Sequence, residues 1–238
     1  MKNLHNALQL KQLYILKQLG SRYTDIKPSD LEEEPDQLPD DLDALRQLVE
    51  TCHLCDLSKS RHKVVFGEGN PRAELMFVGE GPGATEDSMG RPFVGRAGEL
   101  LTKMIENVLY IPRSQVYIAN IVKCRPPGNR VPTPAEALTC RPYLLKQIEL
   151  IRPRIIVTLG ATAYRYLSND QSPIGRVRGH PIQMDGYLLV PTFHPSYLLR
   201  NPSAKKEAFH DMLLVKELWE KGRKPKRTDR GNSEKEVG

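Results

Sequence analysis

The tightest constraint on the fold of this 238-residue chain is an alternation of two periodicities. Four short apolar runs, ELMFVGE (74–80), VYIAN (116–120), RIIVTLG (154–160) and YLLVPTF (187–193), are rich in β-branched and aromatic residues and read as strands. Between and after them lie helical patterns at Ala97–Leu109, Pro134–Leu150, Ala161–Leu167 and Lys205–Lys221, with Pro134 suited to a first helical turn. Strands alternating with helices predict a parallel α/β sheet covered on both faces. Ligands of such sheets bind beyond the carboxyl ends of the strands. That rule singles out Gly79–Gly83, Asn120–Cys124, Gly160–Thr162 and Phe193–Ser196.

Composition divides the chain into three parts. The overall charge of +6 conceals nets of −4 over residues 1–43, +6 over 44–220 and +4 over 221–238. Residues 3–19 carry leucines near helical spacing and predict an amphipathic helix, docked on the main domain or binding a protein partner. The acidic, proline-containing stretch that follows reads as a linker to residue 43, and the basic tail 221–238 as disordered. The domain is expected over 44–220. No run approaches the about 18 apolar residues of a membrane span, and the amino terminus lacks the apolar core of a signal peptide. The expectation is a cytoplasmic monomer with an acidic partner and no membrane.

Cys52, Cys55, Cys124 and Cys140 follow the spacing C-x2-C-x68-C-x15-C. In a cytoplasmic chain this argues for a metal site over disulfides. The spacing accommodates zinc or an iron–sulfur cluster, and independent buried cysteines fit it too. The first strand ends in GEGPG (79–83), which is neither a Walker loop nor a dinucleotide fingerprint. His194 emerges at the fourth strand's ligand edge, where an otherwise ordinary histidine becomes a candidate for chemistry.

These residues together resemble the family 4 uracil-DNA glycosylases, the bacterial and archaeal branch that carries a four-iron cluster. The resemblance spans about residues 46–220 and rests on GEGPG, GRPFVG (90–95), Asn120 at a strand end, HPSYLLR (194–200) and the four cysteines, all in register. It implies a central four-stranded parallel sheet between two helical layers, and a [4Fe–4S] cluster on Cys52, Cys55, Cys124 and Cys140. It further implies a DNA-repair enzyme that flips uracil out of single- or double-stranded DNA and hydrolyses its glycosidic bond, in the nucleoid-associated cytoplasm. A non-catalytic iron–sulfur module that binds nucleic acid with the same fold is the rival reading.

The resemblance also implies roles. Phe93 is the floor on which the flipped base stacks, and Asn120 reads the uracil edge, donating to O4 and accepting from N3–H. Gly79, Glu80 and Gly81 line the base, with the strand backbone at Glu80–Gly81 and the nearby Glu86 crowding C5 against a thymine methyl. His194 donates to O2 of the departing uracil anion. The better-studied branch places an aspartate where this chain has Gly81, so water activation shifts to Glu80 first and Glu86 second. Asp87 is expected to cap a turn. Tyr197, Leu198 and Leu199 form an apolar wedge into the vacated stack, and Arg200 and Arg178 meet the DNA backbone. Arg91, Arg96, Lys123, Arg125, Arg130 and Arg176 add positive charge near the site. A neighbouring branch that cross-links to DNA carries GEQPG and an inserted basic loop; this chain has neither, so turnover is expected.

Overall fold

The computed structural model describes residues 38–222. The predicted helix 3–19, most of the acidic linker and the basic tail beyond Gly222 lie outside the described residues. Leu38 already packs against the core, and the first helix among the described residues, α1 (Leu42–Glu50), starts within the stretch assigned to the linker. Asp41 caps it, its carboxylate accepting from the amides of Asp43 and Ala44 at 2.8 Å.

Among the described residues six strands form one sheet: β1 (Glu68–Gly69), β2 (Leu75–Gly79), β3 (Tyr117–Asn120), β4 (Ile155–Leu159), β5 (Ile182–Gln183) and β6 (Leu188–Thr192). Their order is β1-β3-β2-β4-β6-β5. The middle four strands are the predicted parallel ones, Gly79 lying beside Asn120 and Leu159 beside Thr192. The expected four-stranded sheet is thus extended to six by two-residue edges, β1 on β3 and β5 on β6, both antiparallel. Pairs so short have no periodicity for a sequence to display.

Strand alternation sorts the core into two layers. On one face Met76, Val78, Tyr117, Ala119, Ile156 and Leu189 pack with α1, α4 (Pro134–Ile151) and α5 (Ala161–Ser168). Leu75, Phe77, Ile118, Ile155, Val157 and Val190 face α3 (Arg96–Met104), α7 (Pro195–Arg200) and α8 (Lys205–Lys221) on the other. Two short helices, α2 (Ala84–Met89) and α6 (Ile174–Val177), lie in the connections. Thr133 and Glu136 form a reciprocal capping box at the start of α4, with Pro134 in the first turn. Among the described residues no helix is long and apolar enough to cross a membrane.

Candidate functional site

The carboxyl ends of β2, β3 and β6 deliver Gly79, Asn120 and His194 to one edge. Asn120 is 1% exposed, and its Oδ1 has no hydrogen-bond partner among the described residues. A buried polar atom left unpaired costs about 1–3 kcal/mol, a cost that a bound donor removes. Phe93 lies beside it, held in the left-handed region at φ 51° and 6% exposed. Gly79 makes this proximity possible: a Cβ there would lie 2.5 Å from both Asn120 Oδ1 and Phe93 Cζ. The Phe93 and His194 rings are 5.7 Å apart and inclined by 34°.

His194 is the N-cap of α7. Its Nδ1 accepts from the Ser196 backbone amide at 3.1 Å and lies 2.8 Å from the Ser196 hydroxyl. An amide nitrogen can only donate, so Nδ1 carries no proton and the neutral ring presents Nε2–H. Burial, followed by the charge of Arg200 and partly opposed by Glu86, pushes the His194 pKa down to about 4. The imidazole is therefore a neutral donor at physiological pH.

The two candidate acids differ in their commitments. Glu86 Oε1 accepts from the amides of Val94 and Gly95 at 2.9 and 2.8 Å, anchoring the turn that leads into α3. Glu80 accepts from the Thr162 hydroxyl through Oε2, and no hydrogen bond from the described residues engages its Oε1. No aspartate could replace Gly81 without rearrangement, because a Cβ there would meet Val122 Cγ2 at 2.8 Å. Asp87 is fully buried and accepts from the His62 and Lys63 amides and from His62 Nδ1, so it ties α2 to the distant 62–63 segment where a local turn cap was expected.

The expected DNA face is corrected at several residues. HPSYLLR is a helix, and successive residues of a helix point about 100° apart. Leu198 is 1% exposed and packs in the core, so it is no part of a wedge. Tyr197 and Arg200 are exposed and Leu199 half-buried. Arg178 does not face the DNA as a free cation: its guanidinium pairs with buried Asp211 and donates to the Glu207 carbonyl. It also lies 5.4 Å from the centre of the Phe193 ring, which in turn sits 4.9 Å from Tyr197. Arg178 thus supports the Tyr197 helix from behind. Arg130 is engaged by Glu136 and Arg91 by Glu68. Lys123 is 1% exposed, its ammonium donating to Asn120 O at 3.0 Å and Gln147 Oε1 at 2.6 Å. Arg96, Arg176 and Arg200 are exposed. Thr162, Ser196 and Lys123 contribute to the site in ways the sequence reading did not assign.

All four cysteines line one cavity, together with Val49, Leu54, Arg61 and Tyr143. Donors already point at three sulfurs: Arg61 Nη1 at Cys124 (3.2 Å), the Lys123 amide at Cys140 (3.3 Å) and the Tyr143 hydroxyl at Cys52 (3.4 Å). Burial pushes the thiol of Cys55 up to about 11 and that of Cys140 up to about 12. Among the described residues, no three His, Cys, Asp or Glu side chains converge as closely as a single metal ion requires. Four thiols around a shared cavity, with donors aimed at sulfur, fit a larger multinuclear group.

A sheet of this topology, with Asn120, Phe93 and His194 gathered at its carboxyl edge, defines a class, and residues 66–216 match the family model described as the Uracil DNA glycosylase superfamily. The chain belongs to that superfamily. Within it, the chain is similar to the Type-4 uracil-DNA glycosylase of Saccharolobus solfataricus, 47% identical over 186 residues that cover 75% of this chain and 86% of the relative. It is 51% identical to the Type-4 uracil-DNA glycosylase of Thermotoga maritima over 164 residues, 68% of this chain and 85% of the relative. The Type-4 enzyme of Archaeoglobus fulgidus is 40% identical over 185 residues, covering 74% and 92%.

Proposed function

We propose that this protein excises uracil from DNA, leaving an abasic site, and that the recess beside Asn120 holds the flipped base. The observation that carries this reading is the unpaired, buried Oδ1 of Asn120 at the edge of the Phe93 ring. Uracil supplies the missing donor through N3–H, while O4 accepts from the Asn120 amide nitrogen. Cytosine has an unprotonated N3 and an amino group at position 4, so it would oppose acceptor to acceptor and donor to donor. A fixed buried amide rejects such a mismatch strongly. The ring must leave the duplex for these contacts to form, which unstacking costs a few kcal/mol and stacking on Phe93 offsets in part.

Cleavage of the glycosidic bond leaves a cationic sugar and a uracil anion. His194 Nε2–H donates to O2, where negative charge grows, and the Ser196 amide keeps the donor tautomer in place. A water at C1′ is oriented by Glu80, whose other oxygen is held by Thr162. Tyr197, Leu199 and Arg200 on α7 meet the DNA beside the vacated site. Asn120→Ala is expected to lower uracil release by about 10²–10³ with DNA binding retained. Uracil release at the wild-type rate would refute the assignment of the recess.

Cys52, Cys55, Cys124 and Cys140 are proposed to hold a [4Fe–4S] cluster. When bound it supplies the positive charge that buried thiolates require, and a crosslink between the Cys52–Cys55 segment, the end of β3 and α4. The residues near it keep their own tasks: Lys123 ties the Asn120 carbonyl to Gln147 on α4. Purified protein should contain iron and acid-labile sulfide in equal amounts. Stoichiometric zinc without sulfide would contradict the cluster.

A further inference from the structure

Phe93 adopts a backbone conformation that a bulky residue seldom takes, and something must hold it there. The side chain of Arg113, 20 residues away on the turn before β3, is wrapped around this kink. Its Nη1 donates to Phe93 O at 2.9 Å and to Thr102 Oγ1 at 3.0 Å. Its Nη2 donates to Pro92 O at 2.7 Å and to Glu68 Oε1 at 2.9 Å. One guanidinium thus chelates two successive carbonyls, one helix hydroxyl and one carboxylate, a fork that no other side chain can reproduce. Glu68 is itself held by Arg91, and the two arginines outweigh burial to keep its carboxyl below the usual range. The remaining side of the kink is closed by α3. A Cβ on Gly98 would lie 1.9 Å from Phe93 O, so the carbonyl sits directly against the helix.

We propose that Arg113 is a positioning residue for base recognition: through Pro92 and Phe93 it holds the aromatic floor in place, with Glu68 orienting the guanidinium. This rests on the reading of the Phe93 recess as the uracil site. Arg113 acts through the turn: both its terminal nitrogens are engaged, by the Pro92 and Phe93 carbonyls, Thr102 and Glu68. Its loss releases a strained turn, so the ring leaves the position that Gly79 and His194 frame.

The test is inhibition of excision by free uracil, compared with affinity for duplex DNA carrying a tetrahydrofuran abasic analogue, which has no base to stack. Arg113→Met should raise the uracil inhibition constant roughly tenfold or more, the scale of a lost set of charged hydrogen bonds. Affinity for the abasic duplex should stay within about twofold, since no DNA contact is removed. The effect should be non-additive with Phe93→Ala, the double variant being no worse than Phe93→Ala alone. Should Arg113→Met fail to fold, Arg113→Lys and Glu68→Gln serve, each keeping part of the clamp and each expected to give a smaller rise of the same kind. An unchanged uracil constant in these variants overturns the proposal, as does additivity with Phe93→Ala or a parallel loss of abasic-duplex affinity. If Phe93→Ala itself leaves the uracil constant unchanged, the recess assignment fails as well, which separates that failure from one confined to Arg113.

Discussion

Gly79→Ala adds one methyl group at the point where the recess is most crowded. The new Cβ would lie 2.5 Å from Phe93 Cζ, 2.8 Å from Phe93 Cε2 and 2.5 Å from Asn120 Oδ1, whereas ordinary contact begins at 3.4 Å. The ring and the amide must each retreat by about an ångström, and a misplacement of that size costs about 10²-fold in rate. Overpacking of a well-filled site costs about 1–3 kcal/mol of stability, so the protein should still fold. Single-turnover release of uracil, with thermal unfolding in parallel, separates the two effects. The predicted outcome is a loss of about two orders of magnitude in the rate with a modest fall in Tm. Gly175→Ala, which adds a methyl with nothing within 4 Å, should leave both near wild type. If Gly79→Ala excises within about twofold of wild type, the packing of Phe93 and Asn120 against this strand end does not govern catalysis.

The pH dependence follows from His194. Its folded pKa of about 4 lies below the ordinary 6.5, so the unfolded chain binds the extra proton first as pH falls. This residue's contribution to stability is constant above 6.5, declines as pH drops from 6.5 to about 4 and levels off below, as unfolding titrations of wild type and His194→Gln should show. Excision should hold its rate down to about pH 5 and fall below it, because protonation of Nδ1 displaces the Ser196 amide. Glu80→Gln should reduce excision by about 10²-fold or more, and Glu86→Gln by clearly less, since an amide oxygen can still accept from Val94 and Gly95. Leu198→Ala should cost about 2–5 kcal/mol of stability as a core truncation, whereas Tyr197→Ala should weaken DNA binding with Tm nearly unchanged.

The four parallel strands, their helices and the strand ends bearing Gly79, Asn120 and His194 were legible because each rests on local periodicity and on a rule about where such sheets bind ligands. The two-residue edges β1 and β5 carry no period and form only because a longer strand lies alongside. Leu198 was misassigned because consecutive apolar residues look alike in sequence, whereas a helical turn sends one of them inward. Lys123, Arg130 and Arg178 read as surface charge because their partners Gln147, Glu136 and Asp211 come from other elements. Arg113 was invisible for the same reason: the carbonyls it chelates lie on another loop. The cysteine spacing left zinc and iron both open; what the sequence could not display is that all four cysteines line one cavity, with donors directed at their sulfurs.

The central claim is that a neutral His194, held as a donor at a recess built for uracil, makes this chain a glycosylase. It is tested by comparing wild-type and His194→Ala protein on a uracil-containing oligonucleotide, scoring alkali-labile sites alongside DNA affinity. Abasic sites should accumulate with the wild-type protein and slow by about 10²–10³ with His194→Ala, while affinity is retained. Intact oligonucleotide with wild-type protein, or equal excision by the two proteins, would contradict it.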